Sequence, residues 1–167
     1  GEATGELIIE GKSFKDLDIF TLSKITGTVL QDSDGQFIGL TVGEDIAFAM
    51  ENDNISLSEM KERVLNAAKK VGIDAFLDHA PHELSGGQKQ RVSLAGVMVD
   101  NVEIFLFDEP LANLDPASGK KTIELIDQIH KDTGATIIIV EHRIEDVLHR
   151  SVDRVVLMGE GSIILDT

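Results

Sequence analysis

The hydrophobic positions of the chain follow two different periodicities, and together they predict the α/β class. In the stretch 57–71 apolar residues recur every three or four positions, and Ile123, Ile126 and Ile129 repeat that spacing. Such spacing gives a helix one apolar face. The runs 104–107 and 136–140 are short and almost continuously apolar, which is typical of strands buried inside a sheet.

Several predicted helices have recognisable start and stop signals. Thr41–Glu44 and Ser56–Glu59 both fit the capping box, in which a hydroxyl and a carboxylate each satisfy a free backbone N–H. Gly72 is a normal C-terminal signal for the helix that starts near Ser56. A short further helix is predicted over Ala75–Asp78. Residues 41–97 are therefore predicted to form a helical subdomain.

Both ends of the chain carry the pattern of paired antiparallel strands. Glu6–Glu10 and the residues from Phe14 onward are predicted strands on either side of the turn Glu10–Ser13. Arg154–Met158 and Ser162–Leu165 flank a glycine-rich turn and predict a second hairpin.

The tripeptide Gly11-Lys12-Ser13 looks like the end of a Walker A phosphate-binding loop. That loop requires a glycine five positions before the glycine of its Gly-Lys-Ser, and here Glu6 occupies the position. The intervening Leu7-Ile8-Ile9 is typical of a strand and contains no glycine. We therefore assign the tripeptide to a plain hairpin turn.

Composition narrows the choice of partners. Hydrophobic residues make up 42% of the chain, as in a globular domain with a core, and the absence of cysteine excludes disulfides. The formal net charge of -15 argues against a nucleic-acid surface, which needs clustered lysine and arginine, and against direct adhesion to anionic lipid. No segment has the apolar length of a membrane span. Any membrane role must therefore depend on a protein partner.

The stretch Leu84–Gln88 is the first candidate binding element. A serine and two glycines lead into a helical pattern that contains Val92, Ala95 and Val99. Glycine lets an anion approach the backbone closely, and the free N–H groups of a helix N-terminus favour negative charge. Alternatively, Ser85 is an ordinary N-cap of the kind that opens many helices without a ligand.

Two carboxylates form the second candidate. Asp108 and Glu109 directly follow the predicted strand Ile104–Phe107, and open α/β sheets bind ligands at the carboxyl ends of their strands. Asp108 is suited to hold Mg²⁺, usually through water, and Glu109 can polarise a water molecule for attack. The alternative is a buried strand that happens to end at an acidic turn.

In their order and spacing, these stretches resemble the motifs of ATP-binding cassette (ABC) ATPases. Leu84–Gln88 resembles the signature motif, and Ile104–Glu109 resembles the Walker B strand with its catalytic glutamate. Ala112–Asp115 resembles the D-loop, His142 the switch histidine and Gln31 the Q-loop glutamine. The resemblance covers nearly all of the chain. It implies the fold of a P-loop NTPase of the ABC type, with the signature motif on the helical subdomain.

The resemblance also implies roles for single residues, with ATP and Mg²⁺ as cofactors. Glu109, His142 and Gln31 would be catalytic, and Asp108 and Gln31 would hold the Mg²⁺ ion. The residues implied to contact ATP are Ser85, Gly86, Gly87, Gln88 and Asp115. Asp115 also precedes a proline, as an N-cap residue often does, so a capping role alone would also explain it, and both roles can hold together.

An incomplete domain follows from the same resemblance. In relatives the Walker A loop would precede residue 1, so we expect the 167 residues alone to bind ATP negligibly and to be inactive. The partial domain is predicted to comprise a β region with the Q-loop (1–40), the helical subdomain (41–97) and an α/β core with Walker B, D-loop and switch histidine (98–167).

For the complete protein, the resemblance implies an ATPase coupled to transport. Two cassettes would bind ATP head to tail, and transmembrane permease subunits would hold the pair at the cytoplasmic face of the plasma membrane, with no nucleic acid involved. The run 31–48 is similar to ATPase subunits of energy-coupling-factor importers, which take up vitamins and transition-metal ions. The stretches 141–143 and 145–147 support that narrower resemblance.

Two other classes of protein remain open. ATPases of chromosome maintenance and DNA repair share the signature and Walker B motifs but separate the two halves of the domain by long coiled coil. Only about fifty residues lie between Gln31 and Ser85, and they contain no heptads. A non-catalytic nucleotide-sensing module is the second alternative, and the presence of both Glu109 and His142 argues against it.

Overall fold

The computed structural model describes residues 4–30, 37–51, 55–112 and 114–167, and its first element is a hairpin. Strands β1 (Ile8–Ile9) and β2 (Lys12–Ser13) pair antiparallel. Glu10 and Gly11 between them both have a positive φ, 49° and 75°, as a tight two-residue hairpin turn requires. The assignment of Gly11-Lys12-Ser13 to a hairpin is therefore confirmed.

The strand predicted from Phe14 onward is wrong. Phe14–Asp16 is a turn of 3-10 helix, and the chain then enters helix α1 (Ile19–Ile25). The Phe14 N–H donates to the carbonyl of Leu7 and closes the hairpin, which leaves the next residues without a strand partner. Asp18 then starts α1 by accepting a hydrogen bond from the Thr21 N–H at 2.6 Å.

A parallel sheet of three strands forms the centre of the described structure. Its strands, in spatial order, are β3 (Thr26–Val29), β4 (Ile104–Asp108) and β5 (Thr136–Val140). Asp108 is in register with Val140, so the carboxyl ends of β4 and β5 meet at one edge. Phe105 and Phe107 of the central strand are buried. The α/β class is confirmed.

Helices connect the parallel strands and cover the sheet. Between β3 and β4 lie α2 (Val42–Ala47), α3 (Leu57–Val71) and α4 (Gly86–Met98), and α5 (Pro116–Thr133) connects β4 to β5. Helix α4 packs closely on β3 at Gly27. A Cβ atom added at Gly27 would lie only 1.9 Å from the side chain of Val97 on α4. A side chain at Gly27 would therefore force the helix and the strand apart.

The predicted helix starts agree with the structure. The Thr41 hydroxyl accepts from the Glu44 N–H at 3.2 Å, and the Glu44 carboxylate accepts from the Thr41 N–H at 3.1 Å. Ser56 caps α3 in the same way, but Glu59 pairs with Arg63. The predicted end of α3 is confirmed as well, since Gly72 lies there with φ 69°.

The short helix predicted over Ala75–Asp78 is replaced by a turn of 3-10 helix over Asp74–Phe76. The backbone there makes hydrogen bonds between residues three positions apart, since the N–H of Phe76 donates to the carbonyl of Ile73 at 3.0 Å and the N–H of His79 donates to that of Phe76 at 2.9 Å. The carbonyls of Leu77 and His79 accept from the first N–H groups of α2, at 2.8 and 2.9 Å. This turn region is tied to the start of α2 as a result.

Strand β5 is less buried than its apolar sequence predicts. Ile138 and Val140 are 50% and 57% exposed, whereas Ile137 and Ile139 pack against the core. Within the described residues β5 is an edge strand of its sheet, and no described element covers the face that Ile138 and Val140 share. The prediction of a strand is confirmed, and the prediction that it is fully buried is wrong.

The last elements are helix α6 (Ile144–Val147) and a second hairpin. Strands β6 (Val156–Gly159) and β7 (Ser162–Asp166) pair antiparallel around Glu160 and Gly161, which confirms the hairpin predicted there. Across the described ranges, every helix is too short or too polar to span a bilayer.

Candidate functional site

The carboxyl edge of the parallel sheet carries the two predicted carboxylates. Asp108 is the last residue of β4 and is exposed, and Glu109 follows with a positive φ of 47°. The Glu109 N–H donates to the carbonyl of Val140 at 2.9 Å, which fixes the residue to the end of β5. A left-handed backbone at a residue other than glycine costs about 1 kcal/mol or more and is common in functional sites.

Glu109 and the predicted switch histidine lie side by side. The Nε2 atom of His142 is 3.0 Å from the Oε1 atom of Glu109, a hydrogen-bonding distance. The side chain of His142 is 82% exposed and that of Glu109 29% exposed. A carboxylate paired with an accessible imidazole can take a proton from a water molecule beside it. Two residues separated by 33 positions in the sequence thus form one catalytic candidate.

The N-terminus of α4 has the predicted capping arrangement. The Ser85 hydroxyl accepts from the Gln88 N–H at 3.4 Å, and the Gln88 side-chain carbonyl accepts from the Ser85 N–H at 2.8 Å. Intramolecular packing does not require glycine at positions 86 and 87. A Cβ atom added at Gly86 would meet nothing within 4 Å, and one at Gly87 only the tip of Leu114 at 3.9 Å. The open face of this helix end leaves room for a ligand or a second protein.

Asp115 caps helix α5, as the alternative interpretation of this residue predicts. Its carboxylate accepts from the N–H groups of Ala117 and Ser118 at 3.0 and 3.1 Å and from the Ser118 hydroxyl at 2.5 Å. The hydroxyl of Ser118, followed by its N–H, holds the pKa of Asp115 below the usual aspartate value. The capping role is thus observed, and contact with ATP stays a prediction.

This lowered pKa gives a testable pH dependence. A depressed carboxyl pKa contributes stability that is present above the unfolded value of about 3.9 and is lost as the pH falls through the folded value. We expect Asp115→Asn to speed amide exchange at Ala117 and Ser118 above pH 5, and this difference from wild type to disappear as the pH falls through the lowered pKa of Asp115 in the folded protein. Hydrogen-exchange mass spectrometry checks this. Asp127→Asn is the matched control, because Asp127 pairs with Lys131 and caps no helix. Equal exchange in the wild type and Asp115→Asn at neutral pH would contradict the prediction.

The metal predictions rest on fewer observations. Gln31 lies outside the described residues, so its predicted catalytic and metal roles stay predictions, and so does Asn113 in the D-loop resemblance. In the described ranges, no three His, Cys, Asp or Glu side chains cluster as a metal site. Asp108 alone still fits Mg²⁺, which keeps several waters and is commonly bound by one or two carboxylates together with substrate phosphates.

Sequence reasoning gave no site role to Glu141 and Arg143, on either side of His142. The Glu141 carboxylate accepts from the N–H of Leu111 at 2.9 Å, and Arg143 Nη1 donates to the carbonyls of Leu111 and Leu114 at 2.9 and 3.0 Å. These bonds join positions some thirty residues apart. Their sequence signals are their place beside the histidine and the resemblance of the stretch 141–143 to energy-coupling-factor ATPases, and neither signal indicates these bonds.

Comparison with known proteins agrees with this geometry. A protein-family model described as ABC transporter matches residues 2–112. A protein of Clostridium perfringens named as an ABC transporter ATP-binding protein is 61% identical over 166 residues, which is 99% of this chain. A Photobacterium profundum protein of the same description is 59% identical over 164 residues, or 98% of the chain. The chain spans 29% of the length of each of these relatives.

Solved structures match as well. CbiO1 of Clostridium perfringens, described as part of the ABC transporter complex CbiONQ, superposes with a TM-score of 0.91 at 36% identity, over 98% of this chain and 66% of CbiO1. The dimeric cassette MJ0796, in a post-hydrolysis state bound to ADP and Pi, superposes with a TM-score of 0.82 at 28% identity, over 98% of this chain and 73% of MJ0796. The fold is that of part of an ABC ATPase domain, and the chain belongs to the ABC transporter family.

Proposed function

We propose that this chain is part of an ATP-binding and ATP-hydrolysing subunit that powers a membrane importer. The observation that carries the proposal is the contact of 3.0 Å between His142 Nε2 and Glu109 Oε1. It lies at the carboxyl edge of a parallel sheet, one residue beyond Asp108. A base, a polar partner and a metal-binding carboxylate at one edge are the groups that phosphoryl transfer to water requires.

Each residue has a distinct task in this proposal. Asp108, together with Gln31, would hold Mg²⁺, and the ion would neutralise charge on the phosphates when bound. Glu109 accepts a proton from the attacking water. His142, with its side chain largely exposed, reaches toward the γ-phosphate and keeps the Glu109 carboxylate oriented through their hydrogen bond.

The open N-terminus of α4 supports a head-to-tail pair of cassettes. Ser85 and Gly86 are exposed, Gly87 and Gln88 are half-buried, and glycine is not needed there for internal packing. In the proposed dimer they contact ATP that the other subunit holds, and Asp115 approaches the same interface. The solved MJ0796 structure, which resembles this chain, is dimeric.

Two observations support an importer of the energy-coupling-factor type. The matching structure CbiO1 is described as part of the transporter complex CbiONQ. Apolar side chains of Ile38, Leu40 and Phe48 are exposed around a cavity of about 390 Å³ beside α2, as a surface for a permease subunit would be. Through such a partner the protein would be peripheral to the cytoplasmic face of the membrane. The names of the relatives favour a transporter over an ATPase of DNA maintenance.

The Walker A loop is proposed to lie in a part of the protein outside these 167 residues. Its one candidate in the chain, Gly11-Lys12-Ser13, forms a hairpin. The open edge of β5 offers a position for the strand that would lead into the loop. The division into the regions 1–40, 41–97 and 98–167 belongs to the same proposal.

Calorimetry of Mg-ATP binding tests the proposal. We expect no measurable binding by the 167 residues alone and micromolar to millimolar binding by the complete protein, because the Walker A amides and lysine form the main cradle for the phosphates. A complete protein whose Walker A lysine is replaced by alanine is the matched control, and it should lose most of its affinity. Equal, tight binding by the 167 residues and the complete protein would contradict this assignment of the phosphate site.

A further inference from the structure

Glu141 and Arg143 bracket His142 and hold the loop that begins with Glu109. The Glu141 carboxylate accepts hydrogen bonds through both oxygens, from the N–H of Leu111 at 2.9 Å and from the N–H groups of His142 and Arg143 at 2.7 and 3.1 Å. One carboxylate thus hydrogen-bonds to the backbone of the loop that follows Glu109 and to the backbone of His142 itself.

Arg143 adds a second attachment to the same loop. Its Nη1 atom donates to the carbonyls of Leu111 and Leu114, at 2.9 and 3.0 Å. Its Nε atom donates to Asp146 Oδ2 at 2.8 Å, and its Nη2 atom lies 2.6 Å from the same oxygen. Asp146 therefore orients the guanidinium so that its other edge faces the loop.

These contacts close a ring of short links through the candidate site. Glu109 is joined to Leu111 through Pro110 in the chain, and Glu141 and Arg143 both hydrogen-bond to the backbone of Leu111. His142 lies between Glu141 and Arg143 in the sequence, and its side chain is 3.0 Å from that of Glu109. The Pro110 carbonyl is held in turn by the side-chain amide of Gln90 on α4. Neither the loop nor the histidine can move alone without breaking at least one of these bonds.

We propose that Glu141 and Arg143 are positioning residues that set the distance between the Glu109 carboxylate and the His142 imidazole during ATP hydrolysis. This rests on the proposed function. A misplacement of about 1 Å at a reacting group can cost up to a hundredfold in rate, so two exposed side chains gain from a rigid bracket. Lysine cannot replace Arg143, because a single ammonium group does not present the fixed fork that serves Asp146 and two carbonyls together.

The kinetic test compares Arg143→Lys, Glu141→Gln and their combination in the complete protein. We expect each single variant to lower kcat about tenfold and to leave KM for Mg-ATP within about twofold, because the bracket touches no substrate. Since both residues hold one loop, the double variant should be no more than about twofold slower than the slower single variant. Arg150→Lys is the matched control, because Arg150 also bridges elements through two carboxylates, Glu124 and Asp127, and it should leave kcat unchanged.

A second comparison separates positioning from general structural damage. In a Glu109→Gln background, Arg143→Lys should cause no further loss of single-turnover rate, since the carboxylate that it positions is absent. A further tenfold loss there, a wild-type kcat in the single variants, or a parallel rise in KM would overturn the proposal.

Hydrogen exchange tests the bracket without reference to activity. Glu141→Ala removes the acceptor of the Leu111 N–H, and Arg143→Lys removes the second donor to the Leu111 carbonyl, which also accepts from the Leu114 N–H. Glu141→Ala should speed amide exchange at Leu111, and Arg143→Lys that at Leu114, each about tenfold and with β4 unchanged. Unaltered exchange at both amides would overturn the proposal. Should the wild-type protein hydrolyse no ATP, the proposed function fails, whereas this exchange measurement still decides whether the bracket holds the loop.

Discussion

Replacing Glu109 by glutamine is expected to lower ATP turnover of the complete protein by about 100-fold or more. General base catalysis contributes roughly 10²- to 10⁴-fold to a rate, and glutamine keeps the size of the side chain but cannot accept the proton from water. Affinity for Mg-ATP should stay within about threefold, because the substitution changes no group assigned to phosphate binding. Glutamine can still hydrogen-bond to His142, so the local geometry should persist.

Steady-state hydrolysis and calorimetric ATP binding, measured on the same preparation, check this prediction. Glu145→Gln is the matched control, because Glu145 is an exposed carboxylate on α6, three positions beyond His142. It should hydrolyse ATP at the wild-type rate. Turnover by Glu109→Gln within about threefold of wild type would contradict the role of Glu109 as base and would mean that another group accepts the proton.

Replacing Phe105 by alanine is expected to destabilise the parallel sheet by about 3–5 kcal/mol, the usual cost of truncating a buried phenylalanine. Phe105 lies on the central strand, with 2% of its surface exposed, and its ring stacks against Phe107 with centroids 6.2 Å apart. Its strand neighbours in register are Gly27 and Ile137. Glycine has no side chain to fill the space that the ring would leave, so the cavity should persist.

Hydrogen exchange of the β3, β4 and β5 amides in increasing urea measures this loss, because it reports the local opening energy whatever other domains the protein contains. Phe20→Ala serves as control. Phe20 is exposed on α1, so its truncation should change the opening energy by no more than about 0.5 kcal/mol. A loss below about 1 kcal/mol in Phe105→Ala would mean that the surrounding side chains collapse into the space.

The sequence predicted those features whose cause is local. Thr41 and Glu44 form the predicted capping box, and Ser56 and Ser85 are the predicted N-caps, all within four residues, so the local pattern contains the interaction. A left-handed backbone is required at Gly72 and in the turns Glu10-Gly11 and Glu160-Gly161, and glycine adopts this conformation more readily than other residues. The strand Ile104–Asp108 was predictable because it is apolar over its whole length until it ends at a carboxylate.

The failed predictions depended on distant partners. The residues after Phe14 have strand-like composition, but nothing pairs with them once the hairpin closes at Leu7. The carbonyls of Leu77 and His79 accept from the start of α2, more than thirty positions away in the chain, so the local pattern over Ala75–Asp78 does not contain the partners of this turn.

For the candidate site, the order of the motifs predicted which residues belong to the site but not the contacts among them. The resemblance pointed to Glu109 and His142 separately, and the structure brings them to 3.0 Å. The bracket of Glu141 and Arg143 could not be predicted, because its partners are backbone atoms of the loop, which carry no residue-specific signal.

The central sheet has a consequence for the order of folding. Strand β3 pairs with β4 across roughly 75 intervening residues, whereas β4 and β5 are joined by a single helix, so loop closure costs about 0.9 kcal/mol less for the second pair. We expect the unit of β4, α5 and β5 to form first and β3 to join after the three helices between it and β4 have assembled. The pairing of Glu109 with His142 would then exist before α4 reaches its final position on β3. The catalytic candidate would thus form with the first pair of strands in the central sheet, and the nucleotide-facing helix end would be added to it later.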